Sequence, residues 1–485
     1  MQRLYDRLSE YQNSDYYAFH MPGHKRNRNV VQEGLPAGID ITEIEGFDDL
    51  HHPGGILKEA QERAARVYHA EESCFLVNGS TAGILSAVLG STKRGSRILM
   101  ARNCHKSVYH AVFMNELQAE YVYPQYDSET GLNGAVDPDE IRRMLDENTG
   151  ICAVVIVSPT YDGVLSDVGA IAEIAHAHGI PLIVDEAHGA HFGFHPYFPE
   201  NANRKGADIV IHSLHKTLPS LTQTALLHMN GTIADREAVR MYLHMLQSSS
   251  PSYVLMASID ACICRLEEQG RAGFDPYVEL LEQTRRELGR LQNIRLVPKP
   301  VGDRAQTAKY DRSKIVISVK GTELSGKELQ RILRERYHLE LEMSAGDYVL
   351  AMTSVGDTRE GMNRLVSALQ AIDTELGRSG GESEKRTAQT RSSDFRLPVL
   401  EQIWTSAEVR NRIQEGKTRT VVLSFGSSIG HISAEYAYLY PPGIPLVVPG
   451  ERISGEAARL LERYETTGYE IEGTAHAGKI ICCEE

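Results

Sequence analysis

An apolar run, ADIVIHS, ends at Ser213; His215 and Lys216 follow before the chain resumes past Pro219 as TALLHM. A lysine just beyond a buried strand loses hydration, so its amine either escapes to solvent or has its pKa lowered towards use as a nucleophile. Four other apolar runs end in groups that could do chemistry. SCFLV leads into Asn78-Gly79-Ser80-Thr81-Ala82-Gly83 ahead of ILSAVLG. Small residues and two hydroxyls at a helix N-terminus suit a phosphate, although a plain N-cap has the same composition. RILMA ends in Arg102-Asn103-Cys104-His105, whose imidazole could stack on a flat ring, carry a proton, or be a satisfied structural group. CAVVIV ends in Ser158-Pro159-Thr160-Tyr161-Asp162-Gly163, which turn chemistry alone explains. IPLIVD delivers Asp185, with Glu186-Ala187-His188 behind it; an acid at the end of a buried strand requires a cation or a donor.

One ligand could use these groups together. Its phosphate would sit on Ser80, Thr81 and Ala82, its ring under His105, its protonated ring nitrogen against Asp185, and its aldehyde on Lys216. Pyridoxal 5'-phosphate has those four features, and a lysine Schiff base with an acidic partner for the ring nitrogen is how proteins hold it.

These groups need a frame that gathers strand ends. From about residue 55 to 230, short strands alternate with helix patterns such as LKEAQERAARVYHA and VGAIAEIAHAHG. Near-continuous apolar strands in that alternation predict an α/β fold with a mostly parallel sheet covered on both faces, and such sheets bind ligands beyond the strands' carboxyl ends. Residues 1–54 read as an N-terminal arm and 55–310 as the large cofactor-binding domain. Residues 311–376 form a small α+β domain with strands KIVISVKG, LELEMS and YVLAMTS. Residues 377–394, GRSGGESEKRTAQTRSSD, read as a linker, and 395–485 as a C-terminal domain with helices and the proline-rich YPPGIPLVVPGE.

At 485 residues the chain has room for two or three domains. No run of apolar residues is long enough to span a bilayer, and the polar start lacks the apolar core of a secretory signal, so the expected location is cytoplasmic. Seven scattered cysteines argue for free thiols, and a net charge of −14 argues against non-specific nucleic-acid binding. Asp185-Glu186-Ala187-His188 matches the acidic box of some helicase-type NTPases, but no phosphate loop ending in Gly-Lys-Ser/Thr accompanies it. His188, His191 and His195 lack metalloenzyme spacing, so no metal is expected.

The motifs as a set resemble the ornithine/lysine/arginine decarboxylases, in their short form, within the fold-type I pyridoxal-phosphate enzymes. They are FHMPGHKR (19–26), DDLHHPGGILKEAQERAARVY (48–68), VNGSTAG (77–83), ARNCHKSV (101–108), SPTYDG (158–163), VDEAHGAHFGF (184–194), SLHKTLPSLTQTALLH (213–228), SSSPSY (248–253) and YPPGIPLVVPGE (440–451). The resemblance implies an aspartate-aminotransferase-like large domain and decarboxylation of a basic amino acid to agmatine, cadaverine or putrescine. Arginine and lysine rank ahead of ornithine. It implies that Lys216 bonds the cofactor, that Ser80, Thr81, Ser213 and His215 surround the phosphate, that His105 stacks on the ring, and that Asp185 pairs with its nitrogen. His188 would lie near the ring hydroxyl, and Lys216 or His215 would return the proton to Cα. The family is dimeric, so Ser248 or Ser249 of a neighbouring copy would reach the phosphate. Glu451 is the candidate for the substrate's distal cation. The rival reading is an aminotransferase on the same fold, with Arg334, Arg336 or Arg359 for the substrate carboxylate.

Overall fold

The computed structural model describes residues 2–27, 30–298, 310–379, 396–439 and 443–484. Its centre is a seven-stranded sheet in the order Glu72–Leu76, Ala225–Met229, Ile209–Ser213, Leu182–Asp185, Ile151–Val157, Arg97–Ala101, Gln118–Val122. The last five strands of that order pair in parallel, and Ala225–Met229 runs antiparallel to both of its neighbours. All six strands expected from the sequence are present within two residues. The seventh, Gln118–Val122, lies at the sheet's edge with only Ala119 and Val122 buried, a pattern without a period that would make it stand out.

The chain leaves Arg97–Ala101 outward to Gln118–Val122 and then returns to the other side at Ile151–Val157. Connections therefore diverge between those two neighbouring strands, and this reversal opens a crevice at their carboxyl ends. His105 follows one of these strands and Thr160 the other.

Both faces of the sheet are buried, and its residues fall into two apolar clusters. One contains Phe75, Leu226, Tyr253 and Ile263, and the other Ile98, Val154, Ile183 and Val210. Helix Gly79–Ser91 is buried along nearly its whole length after its first turn, and Gly83 explains how closely it lies on the sheet. A Cβ there would come within 2.6 Å of Leu76 Cδ1 and 3.5 Å of Ile211 Cγ2.

Beside the large sheet lies an antiparallel one in the order Arg295–Val297, Lys314–Ser318, Tyr348–Met352, Met343–Ala345. Helix Gly326–Tyr337, opened by a Ser325/Glu328 capping box, and helix Arg359–Ser379 pack on it through Leu329, Leu333, Leu365 and Leu369. The stretch read as a strand from LELEMS is shorter than expected: pairing starts at Met343 and leaves Glu342 just ahead of it. The segment expected as a linker begins inside a helix, which runs to Ser379; residues 380–394 of it lie outside the described residues.

The C-terminal part is richer in strands than its sequence suggests. It has a five-stranded sheet, Glu401–Gln402, Glu451–Arg452, Ile432–Ser433, Lys479–Cys483, Thr420–Ser424, and a three-stranded one, Ile444–Val447, Ala437–Leu439, Ile471–Glu472. Strands of two to five residues are too short to display a period of two. Residues 440–442 of the proline-rich stretch lie outside the described residues, and Gly443 accepts a hydrogen bond from the Lys106 N–H at 3.1 Å, beside the His105 turn.

Candidate active site

The five strand ends converge on one cavity of about 400 Å3 at the crevice. Lys216 enters it from the short helix Leu214–Thr217 that follows Ile209–Ser213. Its Nζ lies 3.0 Å from His188 Nε2. Burial lowers the pKa of both groups; the Lys216 charge lowers that of His188 further, while Asp185 offsets part of the fall at Lys216. The shift at Lys216 is towards the neutral amine, the form that can attack a carbonyl.

Asp185 lies 4% exposed at the end of its strand and receives the Ala187 N–H at 3.1 Å. Burial raises its pKa, and nearby Lys216 offsets part of that rise. The site thus has a place for a cationic group that would hold this carboxyl ionised.

His105 caps helix Lys106–Met114, accepting the Ser107 N–H at Nδ1. That bond fixes the ring's orientation at the cavity wall, and burial, followed by the Lys216 charge, lowers its pKa to about 3. A neutral, immobilised imidazole is suited to lie against a flat ring. His215 donates from Nδ1 to the Thr224 carbonyl at 2.9 Å and also lines the cavity; burial lowers its pKa as well.

At the other end, Ser213 donates to Ser80 Oγ at 2.9 Å, and Ser80 sits in the first turn of Gly79–Ser91. This helix has no side-chain cap, so its first N–H groups and dipole are available to an anion. Ala82 is buried in the same turn, and Thr81 faces outward.

Asn103, Asp162 and Glu342 are among the lining residues that the sequence reading did not assign. Asn103 is 4% exposed and its Oδ1 has no hydrogen-bond partner among the described residues. Asp162 accepts the Tyr348 hydroxyl at 2.8 Å, and burial pushes its pKa up to about 6. Glu342, which reaches the cavity from the small sheet, accepts the Tyr161 hydroxyl. The Tyr161 ring packs on His188 with centroids 4.5 Å apart. Asp162 and Glu342 give the cavity acidic groups besides Asp185.

Three expected residues are not brought here. Glu451 is fully buried elsewhere, paired with Arg102 at 3.3 Å and accepting the Val448 N–H at 2.8 Å. Arg102 is 0% exposed and packs against Tyr109 and Tyr121, so a carboxylate must turn inward to neutralise it. Glu451 therefore ties the C-terminal sheets to the base of the His105 turn and does not face a substrate. Ser248 and Ser249 are exposed just past helix Arg236–Leu246, where the Ser248 N–H donates to Asn78 Oδ1 at 3.1 Å beside the start of helix Gly79–Ser91, and neither lines this cavity. His191 and His195, once weighed as metal ligands with His188, bond separate carboxylates, Asp311 and Asp275.

A second cavity, of about 470 Å3, opens beside helices Ile56–Tyr68 and Arg236–Leu246. Its arginines already pair with its acids, Arg240 with Glu72 at 2.9 Å and Arg236 with Glu71. The strand-end groups lie in the smaller cavity, and that is where we locate the chemistry.

The donor set of that cavity fits pyridoxal phosphate. Its amine, buried acid, neutral imidazole and uncapped helix start are the kinds of group that an aldehyde, a ring nitrogen, a ring face and a phosphate call for. Asn103 Oδ1 and His188 Nδ1 are buried polar atoms without partners among the described residues.

A family model for the Orn/Lys/Arg decarboxylase major domain matches residues 2–312, and one for the C-terminal domain of the same family matches 389–474. An arginine decarboxylase of Bacillus subtilis is 33% identical over 488 residues, covering 99% of this chain and 97% of the relative. An arginine decarboxylase of Bacillus anthracis is 31% identical, covering 97% of this chain and 94% of the relative. The crystal structure of a Francisella novicida lysine decarboxylase superimposes with a TM-score of 0.81 at 21% identity, covering 99% of this chain and 80% of that one.

Proposed function

The chain belongs to the Orn/Lys/Arg decarboxylase family and is a basic amino acid decarboxylase, and from that premise we propose that it converts arginine to agmatine with pyridoxal phosphate in the 400 Å3 cavity. The observation that carries this reading is the placing of Lys216 and Asp185 in one cavity with Asp162 and Glu342. When bound, pyridoxal phosphate takes up the electron pair left on Cα as carbon dioxide departs.

The chain's own residues do the rest. Lys216 supplies the amine that holds the aldehyde. Ser80, Ser213 and the start of helix Gly79–Ser91 hold the phosphate, with Thr81 and Ala82 in the same turn. His105 lies on the ring face, and Asp185 keeps the ring nitrogen protonated. Asp162 and Glu342 hold the guanidinium, with their tyrosine partners Tyr348 and Tyr161 fixing the carboxylate directions. Ile84, Val157, Met352 and Ile444 give the cavity apolar walls that leave the departing carboxylate poorly solvated. Lys216, 3.0 Å from His188 Nε2, returns a proton to Cα, and His215 is the alternative donor.

Arginine is favoured over lysine because the two arginine-named relatives match end to end at 31% identity or more. The aminotransferase reading loses support from the same cavity. Among the described residues no arginine lines it, and Arg334, Arg336 and Arg359 are exposed. Arg336 pairs with Glu375 at 2.8 Å.

A second copy of the chain completes the assembly. Supporting this are the exposed Ser248 and Ser249, the exposed Met241 and Met245 just before them, and the exposed Tyr16, Tyr17 and Phe19 of the N-terminal arm. The location is the cytoplasm, which suits seven free cysteines; among the described residues no helix is long and apolar enough to cross a membrane.

The reading is tested by incubating the purified protein and pyridoxal phosphate with arginine, lysine and ornithine in turn. Agmatine and carbon dioxide from arginine, without keto acid, are expected. Keto acid in place of carbon dioxide would turn the assignment towards transamination.

A further inference from the structure

Behind the cavity lies a buried ion pair that the reaction above does not use. Lys314 and Asp311 are 1% and 0% exposed, and Lys314 Nζ donates to Asp311 Oδ2 at 2.9 Å. They stand at the start of strand Lys314–Ser318, in the small sheet. A buried pair of charges is not in itself a stabilising device, because desolvation offsets its attraction. What the pair touches gives it a further meaning.

Two cavity loops and one sheet meet on it. Lys314 Nζ donates to the His188 carbonyl at 3.4 Å, and the His191 ring bonds Asp311 Oδ1 at 3.1 Å, so the pair holds the loop that presents His188 to Lys216. Burial opposes ionisation of Asp311, but Lys314 and then His191 hold its carboxyl well below the usual range. On the opposite side, the Asp311 N–H donates to the Gly163 carbonyl at 2.7 Å, and Tyr310 bridges to Val164. That contact pins the loop carrying Tyr161 and Asp162. Gly163 has a φ of +96°, and a Cβ there would stand 2.9 Å from Lys314 Cγ and 3.2 Å from the Asp311 carbonyl oxygen. The loop is thus fitted to the pair by a close approach that only glycine allows without strain. The strand itself pairs Lys314 with Met352, a cavity residue, in the sheet whose edge strand Met343–Ala345 directly follows Glu342.

We propose that the Asp311–Lys314 pair is a positioning element that fixes the span between the Lys216–His188 end of the cavity and its Asp162–Glu342 end, and so selects the length of the substrate side chain. This rests on the reading of the cavity given above. A fixed span matters because an amino acid held at both ends reacts well only when its length matches the distance. One methylene then changes kcat/KM by about 10- to 200-fold.

The test uses the full-length enzyme as Lys314→Met and as the double variant Asp311→Asn/Lys314→Met, the second leaving no unpaired charge. kcat/KM is measured for arginine and for 2-amino-4-guanidinobutanoate, which keeps the guanidinium but is one methylene shorter. The ratio of the two is expected to fall about tenfold in the double variant. A pair that only supports folding lowers both values together, and a ratio within about twofold of the parent overturns the proposal. Hydrogen exchange supplies a readout that needs no turnover. Segments 158–164 and 186–191 are expected to lose protection together, by about tenfold, while 102–108 is unchanged. Loss in only one of those segments, or in neither, overturns the proposal even if arginine proves not to be the substrate. A parent enzyme that releases no carbon dioxide from arginine sinks the substrate assignment instead.

Discussion

Lys216 Nζ and His188 Nε2 lie 3.0 Å apart in a cavity where burial depresses the pKa of both. His188 has no hydrogen-bond partner at Nδ1 among the described residues, so its principal polar contact is with the reactive amine. Replacing it by alanine removes a proton partner and leaves the lysine in place. kcat is expected to fall roughly 100-fold, while the visible absorbance of bound cofactor persists. Steady-state rates and an absorption spectrum of the same sample check this.

Glu342 is expected to act on binding more than on the chemical step. Glu342→Gln keeps the shape and the tyrosine contact but loses the charge. KM for arginine should rise by roughly 10- to 100-fold with kcat within a few-fold, since a hydrogen bond to a charged group contributes about 1.5–3 kcal/mol. Initial-rate kinetics with arginine decide it; an unchanged KM places the guanidinium elsewhere.

Asp162 carries a pH signature. Its pKa is raised to about 6, so the free enzyme holds it ionised above that pH and protonated below. Attraction for the guanidinium is therefore present above about pH 6 and lost as the pH falls through it. kcat/KM for arginine should decline on that side with an inflection near 6, and Asp162→Asn should abolish that inflection. A profile between pH 5 and 8 for both proteins supplies the comparison.

Glu451→Gln should behave as a stability variant. It leaves Arg102 buried without a neutralising charge, at a cost of about 3–5 kcal/mol, and Tm drops accordingly. KM for arginine, corrected for the folded fraction, should match the parent. A large KM change with an unaltered Tm would restore this residue to the substrate.

Lys216 and Asp185 were legible in the sequence because a charged residue after a near-continuous apolar strand is conspicuous, and five such strand ends could be read together. The α/β frame was legible for the same reason. Asp162 was visible but indistinguishable from a turn former beside Pro159 and Gly163. Glu342 was hidden in the alternation of LELEMS, which is also what an ordinary half-exposed strand looks like, and it reaches the cavity from a different sheet. Glu451 was misassigned because its partner Arg102 is 349 positions away, and nothing local shows that this arginine is buried. The C-terminal strands were too short to leave a pattern.

The most direct measurement is the yield of agmatine and carbon dioxide from arginine by the parent and by Lys216→Ala, each supplied with pyridoxal phosphate. The account predicts equal amounts of both products from the parent, and from the variant a rate lower by at least roughly a thousandfold. Product formed by Lys216→Ala at the parent rate would contradict it.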